Sequence, residues 1–415
     1  MLRALTNITI EQKTQIKEAP LRNKVIKFDF VVEMSCSDSW RDFTNQAEIT
    51  VPKNLYVRDK NNKLVPLSNS NIGGFQNVGA HQTFESSFMP ILMRGDKVTI
   101  DYAYRYFKKG KEVTEGTYDT KTNTHLFVGY ISQVSSKKPI NFKVEDNSWI
   151  LKQLPCPIRT FKATDTLEDI MRFLFKPYNE GKPKDEQFTV NSLTKTTFGV
   201  FRVGNETVSE VLARLRKQYH FESYFKGNEL RVGSMIYIES EAKTYNFTFQ
   251  QNIISDDLEY KRKDDIVLSI VASNKIETET GETTKDGHKK TKCERLEVLV
   301  TLRNGSDEPT YFIKKKGEEY PPNTGGERMT MPYPFAKSID ELKSLALTEL
   351  KKYYYTGFKG KFTTFGIPFV RMGDNVQLQD NILPERNGLY KVRSVNYKAG
   401  FSGIRQEVQL DFKLL

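Results

Sequence analysis

Cysteine is scarce in this chain: Cys36, Cys156 and Cys293 are three among 415 residues, far apart and odd in number. They form no disulfide framework and no metal-ligand spacing, so folding in a reducing compartment is the expectation. Histidine is nearly as rare. His81, His125, His220 and His288 fall in different segments, with no His-Glu-x-x-His spacing. A Gly-x-Ser-x-Gly elbow, a Walker phosphate loop, Cys-x-x-Cys and Rossmann glycine spacing are all missing. Carboxylates are plentiful, but nothing places two of them together as a glycosidase pair. No catalytic site, cofactor or metal is therefore expected. Long hydrophobic runs are also lacking. The start, Met1-Leu2-Arg3-Ala4-Leu5-Thr6-Asn7, has no apolar h-region and no run approaches transmembrane length, so neither a signal peptide nor a membrane span is expected.

What the chain has in abundance is aromatic and charged surface. Its 20 Tyr and 27 Phe favour strands, while 38% apolar and 28% charged residues suit a chain with much loop and partner-facing surface. The net charge of +11, spread along the chain, permits nucleic-acid or membrane-surface contact without indicating it. The length predicts two to four domains.

One stretch recurs. Pro90-Ile91-Leu92-Met93-Arg94-Gly95-Asp96-Lys97-Val98-Thr99-Ile100 reappears as Pro368-Phe369-Val370-Arg371-Met372-Gly373-Asp374-Asn375-Val376-Gln377-Leu378. Gly-Asp suits turn backbone angles, and the alternating residues after it read as a half-buried strand. Each copy leads to a similar strand pair: Gly129–Val134 with Ile140–Val144, and Gly388–Val392 with Gln406–Phe412. Pro90, Gly95, Asp96, Pro368, Gly373 and Asp374 are thus the turn residues of a candidate duplicated β unit. Arg94-Gly95-Asp96 is formally an integrin-type tripeptide, but the turn explains it.

The rest divides around these copies. Residues 1–24 are polar with scattered Ile and Leu, an expected arm or edge strand; Val25–Met34 reads as the first strand and Gln46–Leu55 continues the pattern. The prolines of Leu154-Pro155-Cys156-Pro157 mark a boundary. Thr166 with Asp169 and Thr207 with Glu210 are capping boxes that open two helices, and a hairpin over 221–232 follows, which gives an α/β module over 152–235. A polar stretch from Glu277 to Lys292 predicts a mobile tip on a hairpin over 265–302, and Ser338 with Glu341 opens a helix over 339–354.

Phe127-Val128-Gly129-Tyr130-Ile131, the acidic turn Asp146-Asn147-Ser148-Trp149, the two capped helices with their hairpin, and Gly373-Asp374-Asn375-Val376 with Gly388–Val392 resemble, in order, the elements of phage tail baseplate hub proteins. They also resemble the related N-terminal part of type VI secretion spike proteins. The resemblance spans most of residues 25–415 and rests on pattern and order. It implies a mainly β fold with α+β insertions: two tube-like β-barrels related by internal duplication, over 25–151 and 236–415, with the small α/β module between them. It further implies a structural hub that works as a homotrimer. Six similar barrels in a ring would meet a hexameric tail tube or distal tail protein, and the threefold face would seat a spike or tail-tip protein. Location in the virion baseplate after synthesis in the bacterial cytoplasm, with DNA only as passing cargo, follows from the same resemblance. Excess Lys and Arg would then lie on outer or interface surfaces.

Three rivals stand beside it: a basic nucleic-acid-binding β protein, whose binding would weaken steeply with salt; a β-sandwich adhesion protein, against which the missing signal sequence speaks; and a tail-associated hydrolase.

Overall fold

The computed structural model describes residues 2–12, 25–52, 55–58, 62, 64–67, 92–112, 124–135, 139–162, 164–192, 201–219, 221–233, 242–283, 289–322, 326–333, 336, 338–401 and 403–414. Pro90, His81, His220 and His288 lie outside these residues, as does most of the loop 67–80.

The period-two patterns fold as strands. In the first third of the chain these are β1 (Leu2–Glu11), β2 (Val25–Phe28), β3 (Glu33–Ser39), β4 (Gln46–Val51), β5 (Lys97–Lys108), β6 (Thr124–Val134) and β7 (Ile140–Glu145). They pair in the order β3-β4-β7-β6-β5-β1-β2. The single strand read over Val25–Met34 is two. β2 pairs with β1, whereas β3 pairs with β4, so the segment 25–39 supplies both ends of the series. β1 is no loose arm: it is held between β2 and β5, with Ile8 and Ile10 fully buried.

A second series forms from β10 (Thr244–Thr248), β11 (Ile253–Lys261), β14 (Gly357–Phe365), β15 (Asn375–Gln379), β16 (Gly388–Gly400) and β17 (Gly403–Lys413). The order is β11-β14-β17-β16-β15-β10, and a short segment, residues 249–252, links the two end strands β10 and β11. β17 shows why these residues make strands: Ile404, Gln406, Val408, Leu410 and Phe412 are buried while their neighbours are half-exposed.

The two series correspond rung by rung. Lys97↔Tyr130, Val98↔Gly129 and Ile100↔Phe127 in one match Asn375↔Lys391, Val376↔Tyr390 and Leu378↔Gly388 in the other. Both carry a register shift at the same rung, between Gln133↔Lys143 and Ile131↔Val144, and between Ser394↔Gln409 and Val392↔Leu410. The outer strands follow suit, Ser35↔Glu48 answering Asp257↔Lys361. β10 runs parallel to β15, the direction β2 takes relative to β5 across the intervening β1. β1 is therefore an extra strand wedged into the first series. The turn-anchored match pairs Gly129 with Tyr390, not with Gly388.

One apolar core, from Ile8 to Phe412, runs through both series. A second core belongs to the α/β module of helices α2 (Leu167–Asn179) and α3 (Val208–Tyr219) with the hairpin β8 (Glu222–Lys226) and β9 (Glu229–Gly233). The expected caps are present: Thr166 Oγ1 accepts from Asp169 N at 3.2 Å and Thr207 Oγ1 from Glu210 N at 3.3 Å. Helix α2 continues past Phe175 through Pro177, and the Asn179 amide closes its end by bonding both backbone groups of Phe188.

A third core lies under β12 (Val267–Thr283) and β13 (Lys289–Arg303), where helix α4 (Ile339–Tyr353) packs Leu342, Ala346 and Leu350 inward. These strands belong to a separate four-stranded sheet inserted between β11 and β14. Pairing extends to Thr283↔Lys289, so most of the segment read as a mobile polar tip is ladder. Backbone bonds can hold such a ribbon where side chains of both faces are polar.

Candidate functional site

The two Gly-Asp turns fold alike. In the first, Met93 N donates to Asp96 Oδ2 at 2.8 Å and Asp96 N to Met93 O at 3.1 Å; in the second, Arg371 N donates to Asp374 Oδ2 at 2.8 Å and Asp374 N to Arg371 O at 3.2 Å. Gly95 and Gly373 have φ of 89° and 81°, a region where a side chain is strained. Each turn then bonds the neighbouring strand twice. Gly95 N donates to Ile131 O at 2.8 Å and Ile131 N to Asp96 O at 2.9 Å, answered by Gly373 N to Val392 O at 3.0 Å and Val392 N to Asp374 O at 2.9 Å. Asp96 is fully buried; Asp374 is half-buried. Pro368 follows a cis peptide bond. Each turn borders a groove: about 430 Å³ beside Gly95, Tyr130 and Trp149, and about 510 Å³ beside Arg371, Asp374 and Tyr245.

Beyond the second turn, β16 parts from β15 but stays paired with β17. On their other side residues Ser394–Gly400 pair with Ser39–Glu33 of β3, which joins the two series into one sheet. Aromatic side chains fill the joint: Phe369 stacks on Tyr397 with centroids 5.0 Å apart and meets Tyr102 of the first series at 5.5 Å. Tyr397 Oη donates to Val370 O, and Tyr102 Oη to Gly366 O, both at 2.5 Å. Burial pushes the Tyr397 phenol well above its ordinary pKa, so it stays a donor. Gln406, a polar residue on the inward face of β17, accepts from Val370 N at 3.0 Å and donates to Phe365 O and Pro368 O at 2.7 and 2.6 Å. Gly400 permits the close approach: a Cβ there would lie 3.0 Å from Val32 O.

Two polar joints tie the other bodies to this sheet. Arg41, in the loop between β3 and β4, forms a 3.0 Å ion pair with Asp411 of β17 and donates to Tyr353 Oη of α4 at 3.0 Å, while its carbonyl accepts from Arg216 of α3 at 2.6 Å. Burial raises the Asp411 pKa against the lowering influence of Arg41. At the acidic turn, Ser148–Leu151 form the short helix α1, and Asp146 accepts from Asn45 N at 3.1 Å and Ser148 N at 2.9 Å. Its pKa is raised to about 6, chiefly by burial. Asn147 Nδ2 reaches Gly227 O of the module's hairpin at 2.8 Å, and Trp149 stacks on Tyr130 at 5.5 Å.

The repeat motif marked the turns but missed the joint. Phe369 lies within the second copy of the repeat, but Arg41, Tyr397 and Gln406 lie outside it, and of these only the inward-facing Gln406, out of pattern in an alternating strand, carried a signal. His125 sits on β6 with Nδ1 2.5 Å from Asp101 Oδ1 and is otherwise exposed. Among the described residues no group of His, Cys, Asp and Glu is placed to hold a metal, and no helix is long and apolar enough to cross a membrane.

No protein-family model matches the chain, and no curated protein matches it by sequence. Solved structures do. A tail protein from Neisseria meningitidis MC58 aligns over 99% of this chain and 96% of its own, with 12% identity and a TM-score of 0.51. The 43 kDa tail protein of prophage MuSo2 from Shewanella oneidensis aligns over 98% and 99%, with 11% identity and a TM-score of 0.50. The E. coli c3393 protein, a component of the type VI secretion system, aligns over 92% and 73%, with 8% identity and a TM-score of 0.45. Superposition over nearly the whole of both tail proteins at so low an identity speaks to architecture, and the chain shares the mainly β fold of these phage tail proteins.

Proposed function

We propose that this chain is a structural baseplate hub, a homotrimer that joins a sixfold tail tube to a threefold spike. The observation that carries the reading is the rung-by-rung match of the two strand series, from turn hydrogen bonds to the shifted rung. We take the series to be copies of one duplicated unit. Two like units per chain and three chains per ring present six like walls to a tube, while features that differ between the units keep threefold symmetry for a spike. Closed cyclic assembly does the rest. The fold shared with tail proteins supports this role, and location in the virion tail belongs to the same proposal.

On this reading the chain builds and does not catalyse. Its turns and strands are construction elements, and the α/β module and the β12–β13 sheet are outer bodies. Imaging of the purified assembly tests it: the expected particle is a ring with six similar densities and three-fold decoration. A particle with no such ring would overturn the reading. The same map would locate the charge; the excess Lys and Arg should face outward or into interfaces, and a predominantly basic lumen would contradict a channel that lets DNA slide through.

A further inference from the structure

The two neighbours of the extra strand β1 are in register across it. Ile10 stands opposite Ile26 of β2 on one side and Val98 of β5 on the other; Thr9 stands opposite Lys27 and Thr99, and Ile8 opposite Phe28 and Ile100. In the second series no strand intervenes. There Tyr245 of β10 stands opposite Val376 of β15, Asn246 opposite Gln377 and Phe247 opposite Leu378. Val98, Thr99 and Ile100 follow their Gly-Asp turn at the spacing at which Val376, Gln377 and Leu378 follow theirs. Ile26, Lys27 and Phe28 therefore lie on the rungs of Tyr245, Asn246 and Phe247, one strand farther out.

Faces and connections agree as well. Phe247 is buried in the apolar core and Asn246 beside it is exposed; Phe28 packs against the same core and Lys27 beside it is exposed. β2 and β10 run in the same direction, and four residues link each to the next strand, 29–32 to β3 and 249–252 to β11. A shift of one residue would turn every side chain to the wrong face, and none is needed here. With β1 out, β2 can step one place, about 4.8 Å, onto β5 with rung, face and direction unchanged. The step trades burial for burial. It exposes Ile8 and Ile10, fully buried now, and carries the half-buried Ile26 and Phe28 to the position where Phe247 is fully buried.

We propose that the space between β2 and β5 is a strand-acceptor slot: β1 occupies it as a separable strand, and when β1 withdraws β2 pairs with β5 as β10 pairs with β15. The slot selects an extended segment with apolar residues at alternate positions, as in Ile8-Thr9-Ile10, and holds it by main-chain hydrogen bonds on both edges. The inference stands on the strand registers and is independent of the ring reading.

Across β1 the Cα atoms of Lys27 and Thr99 are two strand spacings, about 10 Å, apart; with β1 out they come to about 5 Å, and a disulfide needs less than about 7 Å. The test is the full-length variant Lys27→Cys/Thr99→Cys in a Cys293→Ser background, where Cys36 and Cys156 are buried. It is oxidised mildly at low protein concentration, and the intrachain disulfide is followed by peptide mass mapping. The control Lys27→Cys/Lys97→Cys is two residues out of register, about 8 Å apart even with β1 out. Each pair is also made with Ile8→Ala, which weakens β1 alone, and a thermal melt of every reduced variant checks folding. The expected result is a disulfide in the in-register pair that forms roughly tenfold faster with Ile8→Ala, and roughly tenfold less product in the control. A synthetic peptide of residues 2–11, added in excess to the Ile8→Ala protein, should refill the slot and slow the disulfide roughly fivefold, and a scrambled peptide should not. Absence of the in-register disulfide from the folded protein with β1 intact and from the Ile8→Ala protein would overturn the proposal. Equal product from the two registers would overturn it too, because that marks unfolding of the sheet and not exchange. A disulfide that the peptide leaves unslowed would overturn the slot as a binding site.

Discussion

Asp96 and Asp374 each fix a chain reversal by accepting from a backbone N–H three residues back, and each follows a glycine at positive φ. In Asp96→Ala the Met93–Asp96 turn loses that acceptor, a carboxylate that is fully buried. The expected loss is about 1–3 kcal/mol of unfolding free energy by urea titration. Gly373 has open space where a Cβ would go, so Gly373→Ala should cost only the backbone strain, about 1 kcal/mol. Asp146 titrates at about 6 in the folded chain against 3.8 unfolded. The folded state holds that proton more tightly, so the Asp146 contribution to stability falls as pH rises from 3.8 to about 6 and is constant above. Wild-type stability relative to Asp146→Asn should decline over that interval and then level off. A flat difference would mean that Asp146 ionises as freely in the folded chain as in the unfolded one. These residues were legible because a turn needs its glycine and its side-chain acceptor at fixed spacing; Asp146 was visible as part of an acidic turn, but its burial was not.

Elements were legible where one local rule decides them. Capping boxes placed helices α2, α3 and α4, since the cap is a bond between residues three apart. The division of Val25–Met34 into β2 and β3 was not legible, because which neighbour a strand pairs with is a matter of distant segments. β1 was underread for the same reason: Ile8 and Ile10 look scattered in sequence but are fully buried once β1 lies between β2 and β5. Ile8→Ala should accordingly cost about 2–5 kcal/mol, the range for a large core side chain cut to Ala. Arg41 links β17 and α4 through its side chain and α3 through its carbonyl. Asp411 is 3% exposed, and Arg41→Ala leaves its carboxylate unpaired, so the expected cost is about 3–5 kcal/mol. Asp411→Asn/Arg41→Met, which removes both charges, should recover most of it; a double variant no more stable than Arg41→Ala would show that the pair is not what joins these elements.

For the whole molecule, the order of elements carried more than any motif did. Neither composition nor charge pointed to a tail protein, and the +11 charge remains unexplained by the fold. The repeat of Gly-Asp with its downstream strands was the visible trace of two matching strand series, while the joint between them, built from β16, β3 and Gln406, left almost no linear pattern. On the proposed reading, two like units in one chain build a ring with twice as many walls as chains. The mass of the purified full-length protein, by light scattering during gel filtration at moderate salt and several concentrations, tests this most directly. Three times the mass of the chain is the expected result; the mass of one chain at every concentration would contradict it.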